Sequence, residues 1–315
     1  MDANRRRLLR RLSAGAIAPR LVAGLAAGCA STTPATFQGP LPAPAELRAS
    51  DLRDYRLALV LGSGGPRGFA HVGVLRVLEA EGLKPDLVVG TSMGAVVGAL
   101  YAAGLSASEI RLALWQATPA HWADDLVIWH KFGWIAGERL QREIDAAVGG
   151  RVIEALPTRF VAVAARIPTG ERTEFGYGST GAAVRASAAT PGVILPVRIG
   201  SAVYADGDLV APVPVRTARR LGARHVVAID VSADLREASD WSKMKMEAIT
   251  QGIMRKQMID AEVADADATI RVPIPYVAGS GPEYREYALE RGEQAARAAL
   301  PRLRELGVIG PAPAR

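Results

Sequence analysis

The sequence predicts a three-layer α/β/α domain built on a mainly parallel central sheet. Three observations lead there. Short apolar runs alternate with longer stretches whose apolar residues recur at helical spacing, the pattern of a parallel sheet covered on both faces. Two of the runs end in glycine-rich turns that open directly into helices, as strands do at the carboxyl edge of such a sheet. Residues 51–315 are enough for one large domain with a well-buried core, and no internal repeat divides them.

In chain order, residues 57–61 (LALVL) predict a strand that ends in the glycine loop 62–68 (GSGGPRG), with a helix over 69–81. A second strand over 86–89 runs into Gly90-Thr91-Ser92-Met93-Gly94, with helices over 94–104 and 106–117. A helix over 137–148, a strand over 159–165 and a helix over 180–189 follow. A strand over 202–204 leads to the turn Asp206-Gly207-Asp208, and helix 212–221, strand 225–231, helix 243–262, strand 268–273 and helix 284–306 complete the pattern.

The amino end is set aside from the fold. Residues 1–20 carry six arginines against one acid, Asp2, and then come the short small-and-apolar stretch 21–28 and Cys29, the only cysteine. Leu25-Ala26-Ala27-Gly28-Cys29 resembles a bacterial lipobox, and residues 4–10 (NRRRLLR) resemble a twin-arginine export signal. This predicts a signal peptide over 1–28, lipidation at Cys29 and a cell-envelope protein facing the periplasm. Arg20 and Pro19 interrupt the apolar stretch, and Ala26 stands where strong lipoboxes carry leucine; a basic tail on a cytoplasmic enzyme is the alternative. Residues 29–50, rich in Pro, Ala, Ser and Thr, read as a tether. The chain's formal charge of +6 comes mostly from the leader, since the remainder has 32 basic and 31 acidic residues. Nucleic-acid binding therefore has no electrostatic case. One cysteine excludes disulfides within the chain, and no His, Cys, Asp and Glu cluster has metal-ligand spacing.

Gly-x-Ser-x-Gly between a strand and a small-residue helix is the nucleophile-elbow layout, which lifts one hydroxyl out of the sheet. Ser92 is the candidate nucleophile, with Gly90 and Gly94 leaving room for the turn. The 62–68 loop lacks the Gly-Lys-Ser/Thr ending of a P-loop, and no acidic residue closes the next strand as dinucleotide binding requires. An oxyanion hole is the other chemistry that wants such a loop. Gly64 and Gly65 are the expected N–H donors, and Pro66 has none to give. Arg67 either steadies the loop by bonding carbonyls or meets an anionic headgroup. Of the four histidines, His71 falls in the helix after the loop, His121 and His130 lie in an aromatic-rich stretch, and His225 opens a strand. A carboxylate acting directly on the serine is simpler, and Asp206, on a tight Asp-Gly turn, is placed for it.

Taken together, GSGGPRG, GTSMG, residues 186–197 (ASAATPGVILPV), DGDLVAPVPV and ADATIRVPI resemble the patatin-like phospholipases, over roughly residues 56–273. The resemblance implies a patatin-like fold and a Ser–Asp dyad without histidine: Ser92 as nucleophile, Asp206 as base, and the loop from Gly62 to Gly65 as oxyanion hole. It implies a serine acyl hydrolase acting on membrane phospholipid or another lipid ester, of phospholipase A or lysophospholipase type, without cofactor or calcium. The family carries Asp-Gly-Gly or Asp-Gly-Ala where this chain has Asp206-Gly207-Asp208; Asp208 either raises the pKa of Asp206 or points to solvent. A hydrolase of small esters or thioesters without a membrane role and a non-catalytic envelope scaffold are the alternatives. Four tryptophans (Trp115, Trp122, Trp129, Trp134) with Phe132 either line an acyl pocket or pack an insertion onto the sheet. Four methionines (Met244, Met246, Met254, Met258) either adapt a pocket or belong to a plain amphipathic helix.

Overall fold

The computed structural model describes residues 33–116, 126–127, 130–234, 243–275 and 281–311. Its strands are β1 (Ala35–Thr36), β2 (Ala45–Glu46), β3 (Tyr55–Leu61), β4 (Leu87–Thr91), β5 (Arg159–Ile167), β6 (Glu171–Tyr177), β7 (Val197–Ile199), β8 (Ala202–Asp206), β9 (Ala223–Asp230), β10 (Ala233–Asp234), β11 (Ala268–Arg271) and β12 (Ile274–Pro275). The helices are α1 (Phe69–Ala80), α2 (Met93–Ala102), α3 (Ala107–Gln116), α4 (Glu138–Ala147), α5 (Thr180–Ser187), α6 (Val215–Arg220), α7 (Lys243–Val263) and α8 (Pro282–Glu305).

The sheet order is β1-β7-β8-β5-β4-β3-β9-β11, with β6 paired to β5 and β2 to β6. The run β5-β4-β3-β9-β11 is parallel throughout. Residues of β3 show why it is sandwiched: Leu57, Leu59 and Leu61 enter one core with α1, α2 and α8, whereas Ala58 and Val60 enter a second core with Val215, Ala218 and Ile259. Successive strand side chains point to opposite faces, so both faces must be covered. Full burial of side chains such as Leu59 and Phe160 contributes about 1.5–3 kcal/mol each. Chain breaks follow local chemistry. Helix α1 stops where Gly82 takes φ +74° and Leu83 N–H closes back on the Leu78 carbonyl at 2.9 Å. Before α3, the Ser106 and Glu109 side chains accept from each other's backbone N–H at 3.3 and 2.8 Å, a capping box.

Two differences from the sequence reading are physical. The parallel run of the centre does not extend across the whole sheet, because β6 and β8 pair antiparallel with β5, and β7 pairs antiparallel with β8. Strand β6 (ERTEFGY) is polar except at Phe175 and Tyr177, so it lacks the apolar run that marks a strand with both faces covered. The described part of the expected tether is also docked on the domain. Ala35–Thr36 pairs in parallel with β7, Ala45–Glu46 pairs with β6, and Asp51 accepts from the Arg48 N–H at 2.6 Å. Two-residue pairings leave no periodicity to read, and the prolines sit between them.

Strand β5 positions the site. Its edge along Ala162–Arg166 is occupied by β6, so β4 and β8 share the other edge end to end. Parallel β4 finishes with Thr91 opposite Val163, and antiparallel β8 finishes with Asp206 opposite Ala164. The residue after one strand end, Ser92, and the other strand end, Asp206, 114 residues apart, thus meet at neighbouring rungs of one template.

Candidate active site

Ser92 follows β4 with φ 56° and ψ −122°, the one non-glycine residue of positive φ among those described. Such a conformation costs about 1–3 kcal/mol and persists only where the surroundings over-determine it. Here they do. The Ser92 N–H donates to Ser187 Oγ at 2.9 Å, and that hydroxyl donates to the Val163 carbonyl at 2.6 Å. Thr91 Oγ1 donates to the Ala211 carbonyl at 2.8 Å. Gly94 brings α2 against the end of β3 so closely that a Cβ there would lie 2.1 Å from the Leu61 carbonyl oxygen, and one on Gly90 would lie 2.4 Å from the Gly94 oxygen.

The Ser92 hydroxyl donates to Asp206 Oδ2 at 2.8 Å, and both residues are buried. The same carboxylate oxygen accepts from Thr190 Oγ1 at 2.8 Å, while Oδ1 accepts from the Asp208 N–H at 2.9 Å. Burial pushes the Asp206 pKa up to about 6, with the Asp208 charge adding to the rise and the three hydrogen bonds opposing it. A carboxylate of that basicity is ionised at neutral pH and still able to accept a proton. Gly207 is obligatory beside it, since a Cβ would lie 2.1 Å from the Val163 carbonyl oxygen.

The glycine loop lies alongside the elbow because β3 and β4 are parallel neighbours in register from Ala58/Leu87 to Leu61/Gly90. Gly62 donates its N–H to the Ile229 carbonyl at 3.0 Å and Ser63 to the Pro212 carbonyl at 2.7 Å. Gly62 therefore serves the loop as a structural anchor, a correction to its expected place among the oxyanion donors. The N–H groups of Gly64 and Gly65 find no backbone acceptor among the described residues. Gly65 takes φ +53° at an open position. Arg67 Nε donates to the Val231 carbonyl at 2.9 Å, the loop-steadying alternative of the two sequence readings.

His71 lies fully buried beneath this loop, with Nε2 2.8 Å from the Gly62 carbonyl oxygen. Burial drives its pKa down to about 4, so the ring is neutral and donates Nε2–H to that carbonyl. Its contact is with the loop backbone. His130 bonds the Thr33 carbonyl at 2.7 Å, His225 sits opposite Leu57 near the start of β9, and His121 is outside the described residues. Among the described residues, no three His, Cys, Asp or Glu side chains are grouped so as to hold a metal.

Asp208 does not simply face water. Ser63 Oγ donates to its Oδ1, and Arg255 of α7 donates Nε to the same oxygen at 2.9 Å and Nη2 to Ser63 Oγ at 2.8 Å. Four residues of this neighbourhood were not singled out in the sequence: Ser63, Ser187, Thr190 and Arg255. Ser187 and Thr190 fall within ASAATPG, where hydroxyls among alanines were a usable signal; nothing in α7 marked Arg255. Of the tryptophans, Trp115 packs edge-on to Phe69 at 5.9 Å under the Arg285 guanidinium, a packing role. Trp134 is exposed, and Trp122, Trp129 and Cys29 lie outside the described residues.

The patatin-like phospholipase family profile matches residues 59–219, which include the glycine loop, the elbow and the acidic turn. An uncharacterized NTE family protein of Mycobacterium tuberculosis is 36% identical over 194 residues, 61% of this chain and 53% of that protein. A lysophospholipase of Debaryomyces hansenii is 30% identical over 188 residues, 58% of this chain and 12% of that protein. The chain thus spans about half the length of the first of these relatives and a small part of the second. The crystal structure of VipD from Legionella pneumophila superimposes with a TM-score of 0.50 at 14% identity, covering 79% of this chain and 67% of that one, a likeness of fold. With the profile spanning half of its residues, this chain belongs to the patatin-like phospholipase family.

Proposed function

We propose that the protein is a serine acyl hydrolase that cleaves lipid ester bonds, of the phospholipase A or lysophospholipase type, through a Ser92–Asp206 dyad. The observation that carries this reading is the 2.8 Å hydrogen bond from the Ser92 hydroxyl to a buried carboxylate, made at an elbow whose strained serine is held by its neighbours. Asp206 takes the hydroxyl proton as Ser92 Oγ attacks the ester carbonyl carbon. The N–H groups of Gly64 and Gly65 receive the developing oxyanion, where one such donor contributes about 3–4 kcal/mol to lowering the barrier. The proton passes from Asp206 to the departing alcohol, leaving the acyl group on Ser92. Water, deprotonated by Asp206, then releases the fatty acid and restores the serine.

A lipid substrate is supported by exposed apolar side chains that adjoin site residues along the chain. Leu209 (48% exposed) follows Asp208, and Met254 (68%) precedes Arg255. Val193 (46%) and Trp134 (63%) are tied to each other by the Trp134 N–H to Val193 carbonyl bond, and Val193 donates its N–H to the Thr190 carbonyl. Large apolar side chains left in water on the segments that carry the site residues favour an apolar partner over a small soluble ester. The lipobox-like residues 25–29 support an envelope location with Cys29 lipidated and the enzyme facing the periplasm. Metabolic labelling with a fatty acid, lost in Cys29→Ser, tests that part.

The activity is tested by fatty-acid release from vesicles of phospholipid with added lysophospholipid, using the full chain and Ser92→Ala, alongside a short-chain ester. Release from vesicles that is abolished in the variant supports the proposal. Cleavage of the short ester alone assigns the protein to small esters, and turnover of neither by a folded protein points to a scaffold.

A further inference from the structure

Arg255, Asp208 and Ser63 close a ring of contacts between three segments far apart in sequence. The Arg255 Nη2 lies 2.8 Å from Asp208 Oδ1 and 2.8 Å from Ser63 Oγ, its Nε lies 2.9 Å from the same carboxylate oxygen, and the Ser63 hydroxyl donates to that oxygen as well. The side chains are 18% (Arg255) and 27% (Asp208) exposed, so the pair escapes most of the solvent screening that weakens surface ion pairs. Each end of the ring adjoins the dyad's machinery. Ser63 precedes the Gly64 and Gly65 donors, and the Asp208 N–H is itself a hydrogen-bond donor to Asp206 Oδ1.

We propose that Arg255 is a positioning residue for the acyl-transfer site: it clasps the acidic turn to the glycine loop and offsets the negative charge that Asp208 sets beside the base. The proposal rests on Asp206 serving as the base for Ser92. A bare carboxylate two residues away acts on Asp206 as a full charge, whereas a carboxylate paired at 2.8 Å with a guanidinium acts as a dipole, whose field falls off faster. Among the described residues, the other groups that contact Asp206 are uncharged: Ser92 at the elbow before α2, Thr190 and the Ala189 carbonyl from the segment after α5, and Ala164 opposite it on β5. His71 of α1, on the far side of the loop, is neutral. Replacing Arg255 therefore makes Asp206 harder to ionise, and replacing Asp208 makes it easier.

The test uses the full chain as wild type, Arg255→Gln, Arg255→Lys, Asp208→Asn and the double variant Asp208→Asn/Arg255→Gln. Two readouts are taken: the acid limb of kcat/KM for a short-chain ester, and the ¹³C titration of the Asp206 carboxyl by NMR, assigned by its loss in Asp206→Asn. Arg255→Gln should move both to higher pH, by on the order of half a pH unit or more. Asp208→Asn should move both lower, the double variant should return towards wild type, and Arg255→Lys should stay near it. An acid limb and carboxyl titration unmoved in Arg255→Gln, with activity lowered evenly at all pH, would overturn the proposal and leave Arg255 a structural brace. If thermal melts show Arg255→Gln unfolded, Asp208→Asn and Arg255→Lys decide, the former by a required downward shift. If the wild type cleaves no ester, the proposed activity fails while the carboxyl titrations still decide the role of Arg255.

Discussion

Replacing Asp206 with asparagine should change the protein's stability in a way that depends on pH and has a calculable size. In the folded protein the Asp206 pKa stands at about 6 against an ordinary 3.8. Between those values the folded state binds more protons than the unfolded one, so this group's contribution to stability falls as pH rises from about 4 to about 6 and stays low above that. A difference of about 2 units corresponds to about 3 kcal/mol. The amide cannot titrate, so Asp206→Asn escapes that loss. Its stability relative to wild type should thus rise by up to about 3 kcal/mol between about pH 4 and about pH 8. Any constant cost of the amide, such as imperfect partners for its NH₂, cancels in this comparison. Urea unfolding of both proteins across the range measures it, and shared titrations elsewhere cancel as well. Parallel stability curves, or a relative gain that grows towards low pH, would refute the argument that burial strains this carboxylate.

Further outcomes follow from the same geometry. The kcat/KM for an ester should fall below about pH 6 as Asp206 protonates; an acid limb close to an ordinary carboxylate value would show that the base is another group. Ser187→Ala removes the acceptor of the Ser92 N–H, and should lower kcat roughly tenfold with about 1–2 kcal/mol of lost stability, measured by kinetics beside urea unfolding. Gly207→Ala places a Cβ 2.1 Å from the Val163 carbonyl oxygen, so it should cost about 3 kcal/mol or more and abolish activity together with the cooperative melt at moderate temperature.

The parallel centre of the sheet was legible because β3, β4 and β9 are buried on both faces and must read as unbroken apolar runs. Ser92 was legible for a related reason: few sequences other than Gly-x-Ser-x-Gly allow the close approach of α2 to Leu61. The antiparallel side was harder to read. Strand β6 presents Glu171, Arg172 and Glu174, and β1 and β2 are pairs of residues whose order comes from the edges they join. The site residues missed are those acting at a distance in sequence. Arg255 meets Ser63 across 192 residues and Thr190 meets Asp206 across a loop, and no local pattern encodes either contact. Asp208 showed the limit from the other side, since its departure from the family pattern was visible while its partner was not.

The central claim, that Ser92 is a nucleophile activated by Asp206, is tested most directly by covalent trapping with a fluorophosphonate, followed by mass spectrometry of the intact protein and its peptides. The account predicts one adduct per chain, on Ser92, absent in Ser92→Ala and formed far more slowly in Asp206→Asn. An adduct on another residue, or labelling of Ser92 at the same rate without the Asp206 carboxylate, would contradict it.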